Sequence, residues 1–407
     1  MTSDASPEKA AAAAAETASA RALAVATRVS ALAPGKLPAL LMEAIRHNAV
    51  DLALGTPGTP TSPAMIDAAG AAMRDGKNQY ELPEGNLELR KQIAATLTAP
   101  TDPVGELTIT VGATEALAVA LLSIVDPGYE VIVFEPFYET FISAVALAGG
   151  VPRLVPVRPP DWRHDRAELE AAFGPQTRAI LLNTPNNPTG RVLGRDEWDE
   201  IAELCERWDV TVLSDEVYSG YVFDGHEHVS AADIPALRDR SVVIGSLSKS
   251  HAASGWRLGY VRAFAELSQV LRQVHVAVSA GTSAPLQEAA ARAFAAEPDF
   301  GRPADDLRAQ RGRALEIFDD LGMRCIAPEG GCYVMADIRP ITDEDGETFA
   351  YRLVKDARVL VTPGAFFYQG EDGGGQDFIR IAFNRKLELF DEVERRLTEA
   401  RSAVGAR

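Results

Sequence analysis

The chain has 407 residues, of which 46% are hydrophobic and 24% charged, a composition typical of a globular protein. Its 58 acidic and 40 basic side chains give a formal net charge of −18, which repels phosphodiester backbones and anionic membrane surfaces. We therefore expect no nucleic acid and no membrane as a partner, and any anionic ligand must be held by local positive groups. At this length two domains are the default expectation.

The cysteines and the first residues bear on the cellular compartment. Cys205, Cys325 and Cys332 are too few and too scattered for a disulfide framework or a zinc site, which favours a reducing, cytoplasmic location. No run of about 18 apolar residues could cross a bilayer. Residues 1–25 are alanine-rich and lack the basic start and apolar centre of a signal peptide, so we expect a helical or flexible extension there.

From residue 107 onward, short β-branched runs alternate with longer stretches of helical periodicity. Near-continuous apolar strands separated by helices predict an α/β fold whose parallel sheet is covered on both faces. Right-handed crossovers place the carboxyl ends of such strands along one edge, so the residues that follow the strands should converge. The runs are LTITV (107–111), EVIVF (130–134), RAILL (178–182), VTVLS (210–214) and SVVIGS (241–246).

The pattern changes after about residue 300. A charged amphipathic stretch over 303–322 precedes two strand-like segments, GGCYVMADI and DFIRIAF. A helix followed by antiparallel strands predicts a separate α+β domain. We therefore expect a small α+β domain made of 26–54 and 300–407, and a large ligand-binding domain over 55–299.

A different kind of polar or aromatic group follows each of the five runs, in the sequences GATEA, EPFY, NTPNNPTG, DEVY and LSKS. Each has an ordinary explanation alone: a tight turn, a buried aromatic residue, a helix cap at Asp215 or a solvated lysine. Five independent turns would not be expected to supply an anion cradle, an aromatic face, an amide, a carboxylate and an amine together. The sequence therefore predicts a ligand site at this edge of the sheet.

These motifs resemble those of the class I/II aminotransferases of fold type I, which depend on pyridoxal 5′-phosphate. Lys249, Gly255, Arg257 and Gly259 fit the lysine signature of that family, and NTPNNPTG and SDEVY match two further signatures in the expected order. The resemblance begins near Leu52 and is strongest to the branch with aspartate, kynurenine and arginine–pyruvate aminotransferases. It implies a large domain with a mostly parallel seven-stranded sheet between helices, a smaller α+β domain, and a homodimer.

The resemblance also implies a role for each cofactor-binding residue. Lys249 should form a Schiff base with the cofactor aldehyde, and burial beside the cation of Arg257 should favour its uncharged form. Asp215 is expected beneath the pyridine nitrogen, with Asn187 and Tyr218 at the 3′-oxygen. The other expected contacts are Ala113, Thr114, Ser246 and Arg257 at the phosphate, Tyr138 rather than Phe137 stacked on the ring, and Tyr80 at the phosphate of the neighbouring subunit.

For the substrate, the resemblance implies that Arg380 holds the α-carboxylate as a planar fork. Gly55 should bring its backbone close to that carboxylate, which Asn187 also contacts. The implied reaction is a ping-pong transfer of the amino group from an L-amino acid to a 2-oxo acid. Lys249 would move the proton, with Asp215 and Tyr218 as further catalytic residues. The ordinary alternative for Arg380 is an ion pair with a surface carboxylate.

Two departures from the family pattern bear on the substrate. The chain reads GTPGT (55–59) where relatives commonly read G-x-P-D-F, and ASG (253–255) where many have Met-Thr-Gly. Both changes remove bulk near the cofactor entrance, so the amino donor is not identified. A lyase or a β/γ-replacement enzyme, acting on an amino acid or an S-adenosylmethionine-like substrate, is the main alternative, since proton transfer through Lys249 is common to all.

Two further classes of protein are less favoured. A sensory module fused to a DNA-binding domain is disfavoured because the segment before Leu52 is short and not basic. A metal enzyme is also disfavoured, because the HEH sequence (226–228) falls in a polar loop and His251 is expected to pack beside Lys249. We therefore expect no metal.

Overall fold

A computed structural model describes residues 26–30, 32, 35–296, 307–369, 374–401 and 405. The extension predicted over residues 1–25 lies outside the described residues. In the part of the chain that is described, no helix has both the length and the apolar character needed to span a membrane.

Strands and helices alternate through the central part of the chain. The strands are β1 (Val50–Asp51), β2 (Leu107–Val111), β3 (Glu130–Glu135), β4 (Val151–Arg158), β5 (Arg163–His164), β6 (Thr177–Asn183), β7 (Thr211–Asp215), β8 (Ser241–Ser246), β9 (Leu258–Arg262), β10 (Arg324–Ile326), β11 (Tyr333–Asp337), β12 (Val359–Leu360), β13 (Thr362–Pro363) and β14 (Phe378–Ala382). The α-helices are α1 (Thr27–Ser30), α2 (Leu37–Arg46), α3 (Pro63–Arg74), α4 (Leu87–Thr96), α5 (Gly112–Ile124), α6 (Thr140–Leu147), α7 (Arg166–Ala172), α8 (Arg195–Trp208), α9 (Leu247–Ser250), α10 (Ala265–Ser279), α11 (Ala284–Ala296), α12 (Arg308–Asp320), α13 (Gly346–Arg352) and α14 (Leu387–Glu399).

The large sheet has the strand order β2-β9-β8-β7-β6-β3-β4, and the two-residue strand β5 extends it beyond β4. The pairs from β8 through β4 are parallel, whereas β9 is antiparallel to both β2 and β8. All five predicted runs form strands, and the mostly parallel α/β fold is confirmed. Every residue of β8 is buried, as expected for a central strand covered by helices on both faces.

A second, antiparallel sheet has the order β10-β11-β14-β13. The segments GGCYVMADI and DFIRIAF supply β11 and β14, whose register pairs Met335 with Arg380. The apolar cluster around this sheet includes Phe318, Phe349 and Phe390, all fully buried. The smaller α+β unit inferred from the pattern is confirmed, while the proposed boundaries between the two domains stay a prediction.

Short polar caps explain where several helices begin. The side chain of Asn86 accepts the Leu89 amide at the start of α4, and Asp165 accepts two amides at the start of α7. Asp345 does the same for α13. At α9 the cap is Ser246, whose Oγ accepts the Ser248 amide at 3.0 Å. That cap begins a helix directly after the buried strand β8 and so positions the side chains of α9 at the sheet edge.

Candidate active site

The carboxyl ends of β6, β7 and β8 meet at one edge of the large sheet. The register places Asn183 beside Asp215 and Asp215 beside Ile244, near the end of β8. A cavity of about 330 Å³ lies at this edge. Among the predicted site residues, those that line it are Gly55, Ala113, Thr114, Tyr138, Asn187, Asp215, Tyr218, Ser246, Lys249, Arg257 and Arg380.

Tyr80 is the one predicted site residue that does not line this cavity. Its side chain is 92% exposed. The resemblance assigned Tyr80 to the site of a neighbouring subunit, and this exposed position is compatible with that assignment.

The Lys249 amine points into the cavity and donates a hydrogen bond to the Gly55 carbonyl at 2.7 Å. Burial lowers the pKa of the amine, and the cations of Arg380 and Arg385 lower it further against the opposing effects of Cys332 and Asp215. The predicted burial is therefore present, and Arg380 and Arg385 are cations near the amine that the sequence analysis did not assign to it. Arg257 is exposed, and its guanidinium bonds the Ser254 carbonyl at 3.1 Å.

Asp215 ends β7 and is 9% exposed. Burial raises the pKa of its carboxyl to about 7, against the lowering effect of the Val217 amide, which donates to Oδ1 at 3.2 Å. Within the described residues, no Lys, Arg or His lies within ion-pair distance of this carboxylate. A buried acid without a cation suits a ligand that presents a protonated ring nitrogen.

Two buried tyrosines face each other beside the amine. The hydroxyls of Tyr218 and Tyr333 are 3.2 Å apart, and Lys249 Nζ lies 5.9 Å from the centre of the Tyr218 ring. Burial raises the pKa of both phenols, so both are protonated donors at neutral pH. Gly55 is required at this point, because a Cβ there would lie 1.8 Å from the Tyr333 hydroxyl. Tyr333 was missed in the sequence because it lies in a strand of the second sheet, far from the motifs.

The start of α5 and Arg257 form a positively polarised corner. Gly112 has φ of +73°, and a Cβ there would lie 2.5 Å from a guanidinium nitrogen of Arg257. Ala113 and Thr114 follow in the first turn of this 13-residue helix, where backbone amides favour anions. Ser246 donates from its hydroxyl to the Leu258 carbonyl at 3.2 Å. The corner therefore fits a phosphate group.

Arg380 lies in β14 and is 4% exposed. Its Nη1 donates to Asn187 Oδ1 at 2.7 Å, and its Nη2 donates to the Ala53 carbonyl at 2.5 Å and to Thr362 Oγ1 at 3.2 Å. The guanidinium lies 4.1 Å from the Tyr333 ring centre, whereas its Nε has no partner within the described chain. A buried cation held only by neutral oxygens is suited to a carboxylate ligand, and the surface ion pair considered as its alternative is not what the structure has.

The EPFY segment presents one aromatic ring to the cavity. Tyr138 is 36% exposed and packs edge-on against Phe141, with ring centres 5.7 Å apart. Phe137 is 4% exposed and belongs to the apolar core around α5 and α6. The preference for Tyr138 over Phe137 thus agrees with which ring faces the cavity.

A second, larger cavity of about 660 Å³ shares Val217 and Ser246 with the first. It contains Glu216 and His228, whose Oε2 and Nε2 atoms lie 2.9 Å apart, but neither Lys249 nor Asp215 lines it. The chemistry described above therefore belongs to the smaller cavity. Over the described residues, no group of three or more His, Cys, Asp or Glu side chains is placed to hold a metal ion.

The residues of the smaller cavity fit pyridoxal 5′-phosphate. The phosphate-binding corner, the uncompensated carboxylate of Asp215 and the depressed pKa of the Lys249 amine match the phosphate, the ring nitrogen and the aldehyde of that cofactor, respectively. The aromatic ring of Tyr138 supplies a stacking surface.

Comparisons with known proteins agree with this chemistry. The family model "Aminotransferase class I and II" matches residues 47–397. A probable N-succinyldiaminopimelate aminotransferase of Mycobacterium tuberculosis is 34% identical over 370 residues, 87% of this chain and 93% of the relative. The solved structure of the M. tuberculosis N-succinyldiaminopimelate aminotransferase matches with a TM-score of 0.87 at 33% identity, covering 93% of this chain and all of the other.

Two further relatives extend the comparison. Kynurenine–oxoglutarate transaminase 3 of Mus musculus is 33% identical, covering 85% of this chain and 83% of the relative. The structure of YbdL from Escherichia coli, described with a methionine aminotransferase function, matches with a TM-score of 0.87 at 28% identity, covering 93% of this chain and all of YbdL. The chain therefore belongs to the class I and II aminotransferases and is a pyridoxal-phosphate-dependent enzyme that transfers amino groups between amino acids and 2-oxo acids.

Proposed function

We propose that the 330 Å³ cavity is the active site and that it transaminates L-amino acids with uncharged, apolar or aromatic side chains. When bound, pyridoxal phosphate supplies an aldehyde that reacts with amines and a ring that withdraws electrons from the substrate Cα. The protein must hold that group, orient the amino acid and move one proton. Three sets of residues divide this work.

Lys249 is the proton carrier. Its depressed pKa keeps a fraction of the amine uncharged at neutral pH, and an uncharged amine can accept a proton. The Gly55 carbonyl fixes the direction of Nζ. The Tyr218 hydroxyl, protonated and beside Nζ, supplies a further hydrogen-bond donor in this region.

Asp215 and the corner formed by Ala113, Thr114, Ser246 and Arg257 hold the two charged ends of the cofactor. Asp215 stabilises a cationic ring nitrogen, and the helix start with Arg257 stabilises the phosphate. Asn187 and Tyr218 are assigned to the 3′-oxygen, and Tyr138 covers the ring.

Arg380 binds the substrate α-carboxylate. Its fork is already held in place by Asn187 and the Ala53 carbonyl, so little conformational entropy is lost when the carboxylate arrives. A lysine could not form two parallel hydrogen bonds in the same plane. Gly55, without a side chain, leaves room for the substrate beside Tyr333.

The side chains that line the cavity determine which amino donor it accepts. Leu54, Phe366 and Phe367 supply apolar surface, and Glu139 adds a negative charge. The basic residues among the described lining are Lys249, Arg257 and Arg380, each with a role above. A second substrate carboxylate would therefore be unpaired, which is costly in a buried site. Relatives named for kynurenine and methionine fit this choice, whereas the relative named for N-succinyldiaminopimelate, whose side chain carries carboxylates, does not, so the proposal rests on the lining residues.

Pyruvate and 2-oxoglutarate are both used as acceptors, because the relative named kynurenine–oxoglutarate transaminase 3 pairs a donor that has an uncharged side chain with the dicarboxylate 2-oxoglutarate. The test compares phenylalanine, methionine and leucine with aspartate, glutamate and arginine as donors, following formation of the oxo acid from the donor and consumption of the acceptor. We expect kcat/KM for the uncharged donors to exceed that for aspartate at least about tenfold. A preference for aspartate would contradict the donor assignment, and oxo-acid formation without acceptor consumption would point to the lyase alternative.

A homodimer in the cytoplasm is the proposed setting. Tyr80, Leu82 and Val278 expose 92%, 60% and 51% of their surface, which supports an apolar face for a second copy. Cys205, Cys325 and Cys332 form no disulfide, which supports a reducing compartment. Light scattering tests the dimer, and Tyr80→Phe should weaken cofactor retention about threefold if its hydroxyl reaches the partner's phosphate. Unchanged retention would contradict that role.

A further inference from the structure

The Gly55 carbonyl accepts two hydrogen bonds, one from Lys249 and one from Asn384. Lys249 Nζ donates to it at 2.7 Å, and Asn384 Nδ2 donates to it at 3.0 Å. One oxygen thus joins the reactive amine to a residue that follows β14. Both donors use the lone pairs of the same oxygen. The bond from Asn384 therefore weakens the hydrogen bond that the Gly55 carbonyl accepts from a protonated Lys249.

Arg385 fixes the side chain of Asn384, which is the second donor to the Gly55 carbonyl. Its Nη1 donates to Asn384 Oδ1 at 2.9 Å and so orients the amide whose nitrogen reaches Gly55. The same guanidinium donates to the carbonyls of Asp51 at 2.8 Å and Thr56 at 2.6 Å, and to that of Leu54. Arg385 is 9% exposed, so these bonds are made mostly out of water.

We propose that Arg385 and Asn384 are positioning residues for Lys249: together they fix the 51–56 segment and the Gly55 carbonyl and thereby set where the amine lies and how readily it loses a proton. This rests on Lys249 being the reactive amine of the proposed function. It adds a second control on the amine, made of residues that bind the 51–56 segment and not Lys249 itself.

The electrostatic part of this proposal depends on every charged group around the amine. Burial lowers the pKa of Lys249, the cations of Arg380 and Arg385 act in the same direction, and Cys332 and Asp215 oppose them. The phenols of Tyr218 and Tyr333 complete the surroundings and stay protonated, because burial raises their pKa. Arg385 is itself ion-paired with Asp51 at 3.3 Å. Because Arg380 is needed for the substrate, Arg385 is the cation through which the amine can be adjusted separately.

The experiment measures Lys249 directly, without substrate or cofactor. Cofactor-free protein is labelled competitively with acetic anhydride between pH 6 and pH 10, and acetylation of Lys249 is quantified by peptide mass analysis to give the labelling midpoint. Hydrogen exchange of residues 50–58 reports the position of the segment. The variants are Arg385→Gln, Arg385→Lys and Asn384→Ala. The matched control is Arg272→Gln, which also removes a guanidinium that holds backbone carbonyls, but those of Val104 and Leu107 and none in the 51–56 segment.

Each variant has a distinct expected result. Arg385→Gln should raise the midpoint by about one pH unit, equivalent to about tenfold slower labelling below it, and should speed exchange over residues 50–58. Arg385→Lys keeps the charge but not the fork, so exchange should quicken while the midpoint moves little. Asn384→Ala should slow labelling about threefold, because Gly55 then binds an ammonium more strongly.

The proposal is overturned if Arg385→Gln leaves the midpoint unchanged, or if Arg272→Gln shifts it equally. If Arg385→Gln fails to fold, Arg385→Lys and Asn384→Ala decide the matter, and wild-type exchange and labelling in both would refute the proposal. None of these readings depends on which amino acid is the substrate, so failure of this inference is distinguishable from failure of the proposed function.

Discussion

The two walls of the active-site cavity differ in the sign of the charge they bury. The acid wall, made of Asp215, Tyr218 and Lys249 at the edge of the large sheet, buries a carboxylate that has no ion-pair partner within the described residues. The arginine wall is Arg380 in β14, whose guanidinium bonds neutral oxygens, supported by Arg385 after β14, which bonds backbone carbonyls and pairs with Asp51 at 3.3 Å. Each wall is costly to bury alone and gains most from a ligand of opposite charge. Cofactor and substrate are matched to different walls.

The walls also differ in what holds them. Asp215 is fixed by strand register, since β7 pairs with β6 and β8 along its length. The backbone of Arg380 is also fixed by strand register, since β14 pairs with β11 and β13, but its guanidinium is held by groups distant in sequence, including the Ala53 carbonyl. Both backbones are therefore held by a sheet, whereas the position of the guanidinium depends on a few hydrogen bonds that single substitutions can remove.

The largest effect is expected at Lys249, the proton carrier of the acid wall. Lys249→Ala should reduce transamination at least about 1,000-fold, because both the amine that meets the aldehyde and the proton carrier are lost. Borohydride reduction followed by peptide mass analysis should find a pyridoxyl adduct on Lys249 of the wild type and none in the variant. An adduct on another lysine would contradict the assignment of Lys249 as the reactive amine of the acid wall.

The next largest effect concerns the uncompensated acid. Asp215→Asn should lower kcat on the order of 100-fold, because an amide cannot stabilise a cationic ring nitrogen. It should also stabilise the cofactor-free protein at alkaline pH. The folded pKa of about 7 lies above the ordinary value of 3.8, so the stability contributed by the protonated acid is complete below pH 4 and is lost as pH rises through 7.

Denaturant unfolding of the cofactor-free protein at pH 5 and pH 8 measures this effect. The wild type should lose a few kcal/mol more than Asp215→Asn between the two values, on the order of 1.4 kcal/mol for each pKa unit. Equal losses in the two proteins would show that Asp215 is already compensated.

The arginine wall is tested by Arg380→Lys. The charge remains but the planar fork is lost, so kcat/KM for the amino acid should fall about 30-fold. The cofactor content, measured by visible absorbance, should stay close to that of the wild type. Loss of the cofactor from this variant would show that the two walls do not divide cofactor and substrate as described.

The smallest effect is expected at Gly55, which lies between Lys249 and Tyr333. Gly55→Ala should lower kcat/KM about tenfold, because the added Cβ would displace the Tyr333 hydroxyl and approach Lys249 Nζ at 3.3 Å. The thermal midpoint should fall only slightly. Wild-type kinetics in this variant would mean that the junction adjusts freely and contributes nothing to placing the amine.

The acid wall was predictable from sequence because each of its residues lies at or just after the end of a strand, and the apolar runs of those strands are easily recognised. The arginine wall was only partly predictable: Arg380 came from a family resemblance, and Tyr333, Asn384 and Arg385 were missed. Their roles arise from pairings such as Asn384 with Gly55 that no local pattern encodes. The effect of Arg380 and Arg385 on the Lys249 amine was missed for the same reason, because both are far from Lys249 in sequence.

The large sheet shows the same limit. The strands β4 and β9 were not among the predicted runs. β4 contains Pro152 and Pro156 and alternates between exposed and buried residues, which obscures its apolar character. β9 is interrupted by Gly259 and runs antiparallel to its neighbours, so it does not follow the strand–helix alternation that revealed the others.

The distance in sequence between Gly55 and Asn384 has a consequence for biosynthesis. A ribosome releases Lys249 and Asp215 well before β14, so the nascent chain can pair the strands of the large sheet while Arg380 is still untranslated. The residues proposed to hold the cofactor precede β14, whereas capture of the amino-acid carboxylate must await that strand. Translation that stops before β14 would thus yield chains that contain Lys249 but lack Arg380, the residue proposed to bind the substrate carboxylate.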